Sequence, residues 1–475
     1  MAQILSDTSD FNALPIVELF ESRSAVLRCV QSAWGRYIEG HGLSGTGVAE
    51  RSLFRANITI PFDHPDISAL VDSMFLDGSL HPMVVQGAVT NLPSWAKVGV
   101  VQDPLAMRNL VAQGAGRLLA DMPGSTASCK DWDHWSRRFA EMLYRFHALD
   151  MARAESVRMQ VHGLQASANQ ALIAWCADHY GDLPSLPVAK APVMVHHIPR
   201  FLNARRQAGE VKIALLVFDG LALDQWVVIR ECVARRCPSV TFEEGTCFAW
   251  LPTLTSISRQ ALFSGLRPRE FSDSIDTTAS EPQHWSRFWQ DQGLKSNEVA
   301  YRKGLKRTEQ LEELSILLEN SAIKAVGLVV DTVDEIIHGA VLGKRGVSRQ
   351  IEDWCESGFV EQLFTRCLDQ GFNVYVTADH GNVDAVGIGR PSQGVVAETR
   401  GERVRTYRSS ALLETTATAW PGTVQLEIPG LPAGFFALYS GETSAFLPAG
   451  EHAVVHGGIS VEELIVPFVK VNCRP

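Results

Sequence analysis

Seven residues in five short segments carry the chemistry this chain can do. They are Asp219 in VKIALLVFDG, Thr255 in PTLTSISRQALFSG, Asp334 and His338 in DTVDEIIHG, Asp379 and His380 in ADHG, and His456 in HGGISVEE. Three carboxylates and three imidazoles are the oxygen and nitrogen donors that zinc, manganese and similar divalent ions prefer, and six such groups can hold two ions. Asp334 and His338 are four apart, so one turn of helix presents them on the same side. Asp379 and His380 are adjacent, and a loop can turn such neighbours toward different partners. The glycines after His456 permit close backbone approach. The expected arrangement puts Asp219, Asp379 and His380 around one ion and Asp334, His338 and His456 around the other. Two ions roughly 3.5–4 Å apart clamp a phosphoryl group, one activating the nucleophile and one steadying the leaving oxygen. Thr255, expected at the N-terminus of a helix over residues 256–263, is the candidate nucleophile and a further metal ligand. A helix start favours phosphate, and a hydroxyl on a cation can lose its proton at neutral pH. Arg259, one turn further on, is the candidate phosphate contact.

Taken singly, each residue has a plainer reading. Thr255 suits a helix cap, Asp334 a solvated helix face, Asp379–His380 a turn and Gly457–Gly458 a bend. Asp331 competes with Asp334, but only Asp334 has the Asp-x-x-x-His spacing. His452 competes with His456, but only His456 precedes the glycine pair. Thr253 is the alternative nucleophile, and Thr255 keeps the better distance to the closing Ser264–Gly265.

The elements that must position these residues are legible as an α/β pattern. The run from Val211 to Phe218 is almost uninterruptedly apolar, which fits a strand buried on both faces in a parallel sheet. Asp219 then sits at its carboxyl end, where open α/β sheets hold ligands. The pattern recurs at residues 325–330, before DTVD, and at 373–377, before ADHG. A short strand at 248–251 leads into PTLTS. Helices are expected at 222–235, 308–320 and 349–368, with a β-rich run at 463–471. This alternation predicts right-handed crossovers and a mainly parallel sheet flanked by helices. Before residue 200, helical spacing dominates at 15–37, 132–159 and 164–180, with short strands at 56–60 and 82–89. A proline-containing and then basic connection, 183–211, places the boundary near 200. The division is a helix-rich region of mixed structure over 1–200 and a catalytic domain over 201–475.

The formal net charge of −10 leaves no overall electrostatic footprint for nucleic acid, so a polyanion must be drawn locally. The basic runs YRKGLKR (301–307) and RGERVRTYR (400–408) are the candidates for that. No stretch approaches the roughly 18–20 apolar residues that cross a bilayer, and the first residues lack the basic and apolar regions of a secretory signal. The expectation is a cytoplasmic protein without a membrane partner. Nine scattered cysteines with no CxxC pair point to reduced thiols.

The order DG, PTLTSISRQALFSG, DxxxH, ADHG and HGG with a following Ser and Glu resembles the alkaline phosphatase superfamily. LPTLTSISR and HGGISVEELIVP look most like its PglZ branch, found in bacterial BREX phage-defence systems. The resemblance runs from about Ile213 onward. It implies an alkaline-phosphatase-like core and a Thr255 that is phosphorylated or nucleotidylated between two zinc-like ions, with the ligands assigned above. It also implies cleavage of phosphodiesters, nucleic acid or nucleotide among them, and other defence proteins as partners. The expected function is a two-metal phosphodiesterase or nuclease. The alternatives are a non-catalytic interaction subunit of the defence assembly and a phosphomonoesterase or phosphomutase.

Overall fold

The central strand is Ile213–Phe218 (β1), all six of whose residues are buried. The computed structural model that shows it describes residues 22–45, 60–86, 92–188, 190–395 and 401–473. The other strands of the sheet are Val240–Phe248 (β2), Val299–Leu305 (β3), Ala325–Val330 (β4), Asn373–Thr377 (β5) and Ile465–Cys473 (β6), in the spatial order β2-β6-β5-β1-β4-β3. β1 runs parallel to β4 and β5, and β3 parallel to β4. β6 is antiparallel to both its neighbours. The architecture is therefore the expected α/β one, with a mainly parallel sheet between helices. Phe218 is level with Val330, and Val217 with Thr377. The segments beginning at Asp219, Asp331 and Ala378 therefore leave the sheet along one edge.

Compact packing divides the chain into two units: residues 1–111 with 149–154, and residues 112–148 with 155–475. Residue 200 lies inside the second. The first unit holds helices Arg23–Gly40 and Pro65–Leu76. Its small sheet is made of Ser44–Gly45, Met83–Gln86 and Val100–Gln102. Its core gathers around Trp34, against which Phe62 and Phe75 pack. Most of the strand expected at 56–60, and parts of the helix expected at 15–37 and of the strand expected at 82–89, fall outside the described residues.

In the second unit the helix expected over 132–159 is Cys129–His147 (α1), followed after a break by Glu155–His179 (α2). α1 opens on a capping box in which Ser128 and Asp131 satisfy each other's backbone N–H groups. Its buried face of Trp132, Trp135, Phe139, Leu143 and Phe146 is the apolar stripe that fixes it to the core. Leu223–Arg236 (α3), Thr255–Ser264 (α4), Glu281–Asp291 (α5), Thr332–His338 (α6) and Gly343–Glu356 (α7) follow. Three readings differ from the sequence. The strand expected at 248–251 is β2 and ends at Phe248. The edge strand β3 went unread. The helix expected at 349–368 is two helices, because Gly358 adopts φ 82° between α7 and Phe359–Asp369, a conformation that suits glycine and interrupts a helix. No helix among the described residues is long and apolar enough to cross a membrane.

A smaller sheet brings the last candidate segment to the others. Strand His452–Val455 pairs antiparallel with Val383–Gly387, with Val455 opposite Val383. His456 consequently arrives beside the loop that carries Asp379 and His380.

Candidate active site

The site begins where β1 ends. Asp219 N donates to Val330 O at 3.0 Å, and Gly220 then turns with φ 71°. A Cβ at Gly220 would lie 3.7 Å from His380 Cε1 and 3.9 Å from Asp334 Oδ1, so three of the candidate segments converge on this one turn. Asp379 Oδ1 accepts from Gly220 N at 3.1 Å and from His380 N at 3.0 Å. Asn382 Nδ2 donates to Gly220 O at 2.7 Å. The DG and DHGN loops are thus sewn together through main-chain groups.

Asp219, Asp379 and His380 are all buried, and each offers a ligand atom within 4.8 Å of those of the other two. Asp219 Oδ1 and Asp379 Oδ2 are buried without a hydrogen-bond partner, an expensive arrangement for carboxylate oxygens unless a cation meets them. Burial pushes the Asp379 carboxyl well up, and the neighbouring Asp219 adds to it. Burial acts on Asp219 in the same direction, but Arg259 and His380 outweigh it and hold this carboxyl below its ordinary value. Two acids driven apart in this way are short of positive charge. The donor set fits a divalent ion.

The histidines are oriented as ligands are. His380 Nδ1 lies 2.9 Å from Gly381 O and His456 Nδ1 2.9 Å from Thr253 O. A ring nitrogen facing a carbonyl carries the proton, which leaves the lone pair on Nε2, and backbone carbonyls commonly fix metal-binding imidazoles in this manner. The two rings stack with centroids 4.1 Å apart. His380 Nε2 is 2.9 Å from Thr255 Oγ1. Thr255 is the first residue of α4, which closes on Gly265 at φ 66°.

The second expected group is looser. Asp334 Oδ2 and His338 Nε2 lie 3.1 Å apart on α6, while His456 stands across from them against His380. Of the competing candidates, Asp331 sits at the foot of α6, with its carboxyl pushed up to about 6 by burial and by Asp219. His452 is exposed on its strand. The Thr253 hydroxyl is taken up by the HGG turn, donating to Gly458 O at 3.0 Å and accepting from Gly457 N at 3.0 Å.

Arg259 is placed differently from the phosphate contact the sequence suggested. It is buried with its guanidinium on Asp219 Oδ2 and on Glu281 Oε1, the latter at 2.7 Å. Glu281 in turn accepts from Tyr301 at 2.6 Å. The basic runs also divide. Arg302 and Lys303 are exposed, and Lys306 pairs with Glu335. In the second run Arg403 and Arg405 are buried, Arg403 on Glu463 at 2.9 Å, and Arg408 pairs with Asp276 at 3.2 Å. Arg400 is outside the described residues. Among the described residues of the second run, Arg403 and Arg405 are therefore turned inward and Arg408 is paired at the surface.

Sequence reasoning missed the supports: Glu281, Asn382, Arg403 and Glu463. Glu463 had a signal, the Ser and Glu that follow HGG. Ser460 Oγ donates to Glu463 Oε2 at 2.6 Å, and Gly458 N to Glu463 Oε1 at 2.7 Å, which ties the turn that presents His456.

A family model described as the BREX system PglZ alkaline phosphatase-like domain matches residues 200–471. Among solved structures, murine ectonucleotide pyrophosphatase/phosphodiesterase 5 aligns at 13% identity and a TM-score of 0.40, over 54% of this chain and 87% of that one. The human form aligns at 11% identity and 0.38, over 55% and 87%. Phosphonoacetate hydrolase from Sinorhizobium meliloti 1021, in complex with phosphonoformate, aligns at 14% identity and 0.34, over 56% and 91%. No curated protein matches the chain.

Proposed function

The chain belongs to the PglZ family, the alkaline phosphatase-like domains of BREX systems, and on that footing we propose that it is a two-metal phosphodiesterase with Thr255 as nucleophile. The observation that carries this reading is the Thr255 hydroxyl, 2.9 Å from His380 Nε2 at the first turn of a helix and beside a buried Asp-Asp-His group. Asp219, Asp379, His380 and Thr255 would hold one ion and Asp334, His338 and His456 the other, with zinc favoured by the imidazoles and manganese acceptable to the carboxylates. Bound ions would lower the pKa of the threonine hydroxyl and neutralise charge developing on the phosphoryl oxygens.

The chain's own groups do the rest. The helix start of α4 favours the negative phosphoryl group. Thr255 Oγ1, 2.9 Å from His380 Nε2, would face the same ion as that imidazole. The Thr255 oxygen, having given its proton to water, forms a bond to phosphorus while the bond to the leaving oxygen breaks, and that oxygen takes a proton from water and departs as the alcohol. Water then cleaves the threonine–phosphorus bond and returns the hydroxyl. Arg259 supports Asp219 from behind and does not touch the substrate. Residues 201–475 act as the catalytic module, and residues 1–200 offer the surface for other proteins of a cytoplasmic defence assembly.

The test is hydrolysis of a nitrophenyl phosphodiester beside the corresponding monoester, before and after chelation and with zinc or manganese returned. We expect the diester to turn over faster, loss on chelation and recovery with metal. Thr255→Ala should abolish turnover while leaving the unfolding temperature unchanged. A Thr255→Ala protein as fast as wild type would exclude this nucleophile.

A further inference from the structure

Lys344 is the one lysine buried among the described residues, at 1% exposure. Lysine is almost never fully buried without partners. Its ammonium donates to Asp224 Oδ1 at 2.7 Å and to Asn382 O at 3.1 Å, and lies 3.8 Å from Glu462 Oε1. Its backbone N–H reaches both oxygens of Asp384, at 3.0 and 3.1 Å. Each partner belongs to a segment that carries proposed metal ligands. Asp224 follows the Asp219 loop at the start of α3, Asn382 follows His380, and Glu462 follows the His456 turn. Lys344 itself comes six positions after His338.

The contacts continue inward from there. Asn382 exchanges amide hydrogen bonds with Gln225 at 2.8 and 2.9 Å, and Gln225 accepts from Ala222 N at 3.0 Å. Asn382 also holds Gly220 O, as described. At Gly381 the Glu462 carbonyl comes so near that a Cβ there would sit 1.9 Å from it. The helices before residue 200 join the same knot. His147, ending α1, stands 3.5 Å from Asp224 Oδ2, and Gln165 of α2 donates to Glu462 at 3.1 Å. Burial pulls the Lys344 ammonium down, but Asp224 and Glu462 more than offset this and keep it charged.

We infer that Lys344 is a positioning residue that sets the spacing of the four segments bearing the proposed metal ligands, without itself touching ion or substrate. The inference rests on the two-metal reading above. Groups that hydrogen-bond a metal's ligands typically alter its affinity by about 10–100-fold when removed; Lys344 touches none of the ligands and acts on the spacing of all four segments, so its effect belongs at the lower end of that range.

The experiment uses the full chain stripped of metal and titrated with zinc against a chromophoric chelator, with the cobalt(II) absorption spectrum as a second readout. Lys344→Met alone leaves Asp224 buried and uncompensated, so it is paired with Lys344→Met/Asp224→Asn, which removes both charges at constant shape. We expect the double variant to keep the wild-type circular dichroism and to lose about 10-fold in zinc affinity, with an altered cobalt spectrum. A double variant that loses its fold, or that folds and keeps wild-type zinc affinity, overturns the inference alone. Wild-type protein that takes up no zinc overturns it together with the two-metal reading.

Discussion

Replacing Arg259 with methionine separates a supporting role from a substrate-binding one. The guanidinium is buried between Asp219 and Glu281, with Asp379 Oδ2 at 4.0 Å, and Glu281 is completely shielded from solvent. Arg259→Met keeps most of the volume and strands three carboxylates in the interior. Breaking a buried ion pair from one side costs about 3–5 kcal/mol, chiefly because the remaining charge has no partner. At about 2 °C per kcal/mol for a chain of this size, the unfolding temperature should fall by about 6–10 °C. The measurement is thermal unfolding by circular dichroism in chelator and again with zinc. Zinc should restore part of the loss, because a cation beside Asp219 and Asp379 replaces the missing charge there and does not reach Glu281. Arg259→Met/Glu281→Gln should recover a further part in chelator. An unchanged unfolding temperature in Arg259→Met, with only a raised KM for the diester, would refute the reasoning and return Arg259 to the substrate.

Two other outcomes follow from single contacts. Burial raises the Glu462 carboxyl from 4.5 to about 7, so the folded state binds its proton more tightly than the unfolded one. That contribution is complete below about pH 4.5 and is lost as pH rises through about 7, a difference of about 3 kcal/mol. Glu462→Gln should therefore be the more stable protein above pH 7, with a flatter stability profile between pH 5 and 8; parallel wild-type and variant profiles would contradict this. Gly381→Ala would drive a methyl into the Glu462 carbonyl, 1.9 Å away, and should displace the DHG loop. Loss of zinc binding with retained helix content by circular dichroism is the expected signature, and unaltered zinc affinity would show that the backbone can yield.

Legibility tracked burial. β1, β4 and β5 are covered on both faces, so VKIALLVF, AVGLVV and NVYVT announce themselves as unbroken apolar runs. β3, reading VAYRKGL, escaped because it is an edge strand whose Arg302 and Lys303 face solvent, and charge on an edge is how proteins protect one. At the other edge β2 exposes Glu243, while the adjacent Glu244 turns inward to Trp226 and Arg230. Sites at strand ends were readable from residue type, because Asp and His after an apolar run have few other uses. Their supports were not. Arg403 and Glu463 are sixty positions apart, and each looks like ordinary surface charge until the chain is folded. Lys344 in GKRG reads as a solvated helix start, and only three-dimensional proximity sets it against Asp224, Asn382 and Glu462.

The place of β6 in the sheet has a consequence for how the protein comes into being. β2, which leads directly to Thr255, has β6 as its neighbour in the sheet, and β6 is the strand latest in sequence, directly after the turn bearing His456. A nascent chain on the ribosome holds Asp219, Thr255 and Asp379 long before it can assemble them. Any product that stops short of residue 465 lacks the strand that joins β2 to the rest of the sheet. On the proposed reading, fragments that stop before this strand would carry most of the candidate residues and still leave phosphodiesters untouched.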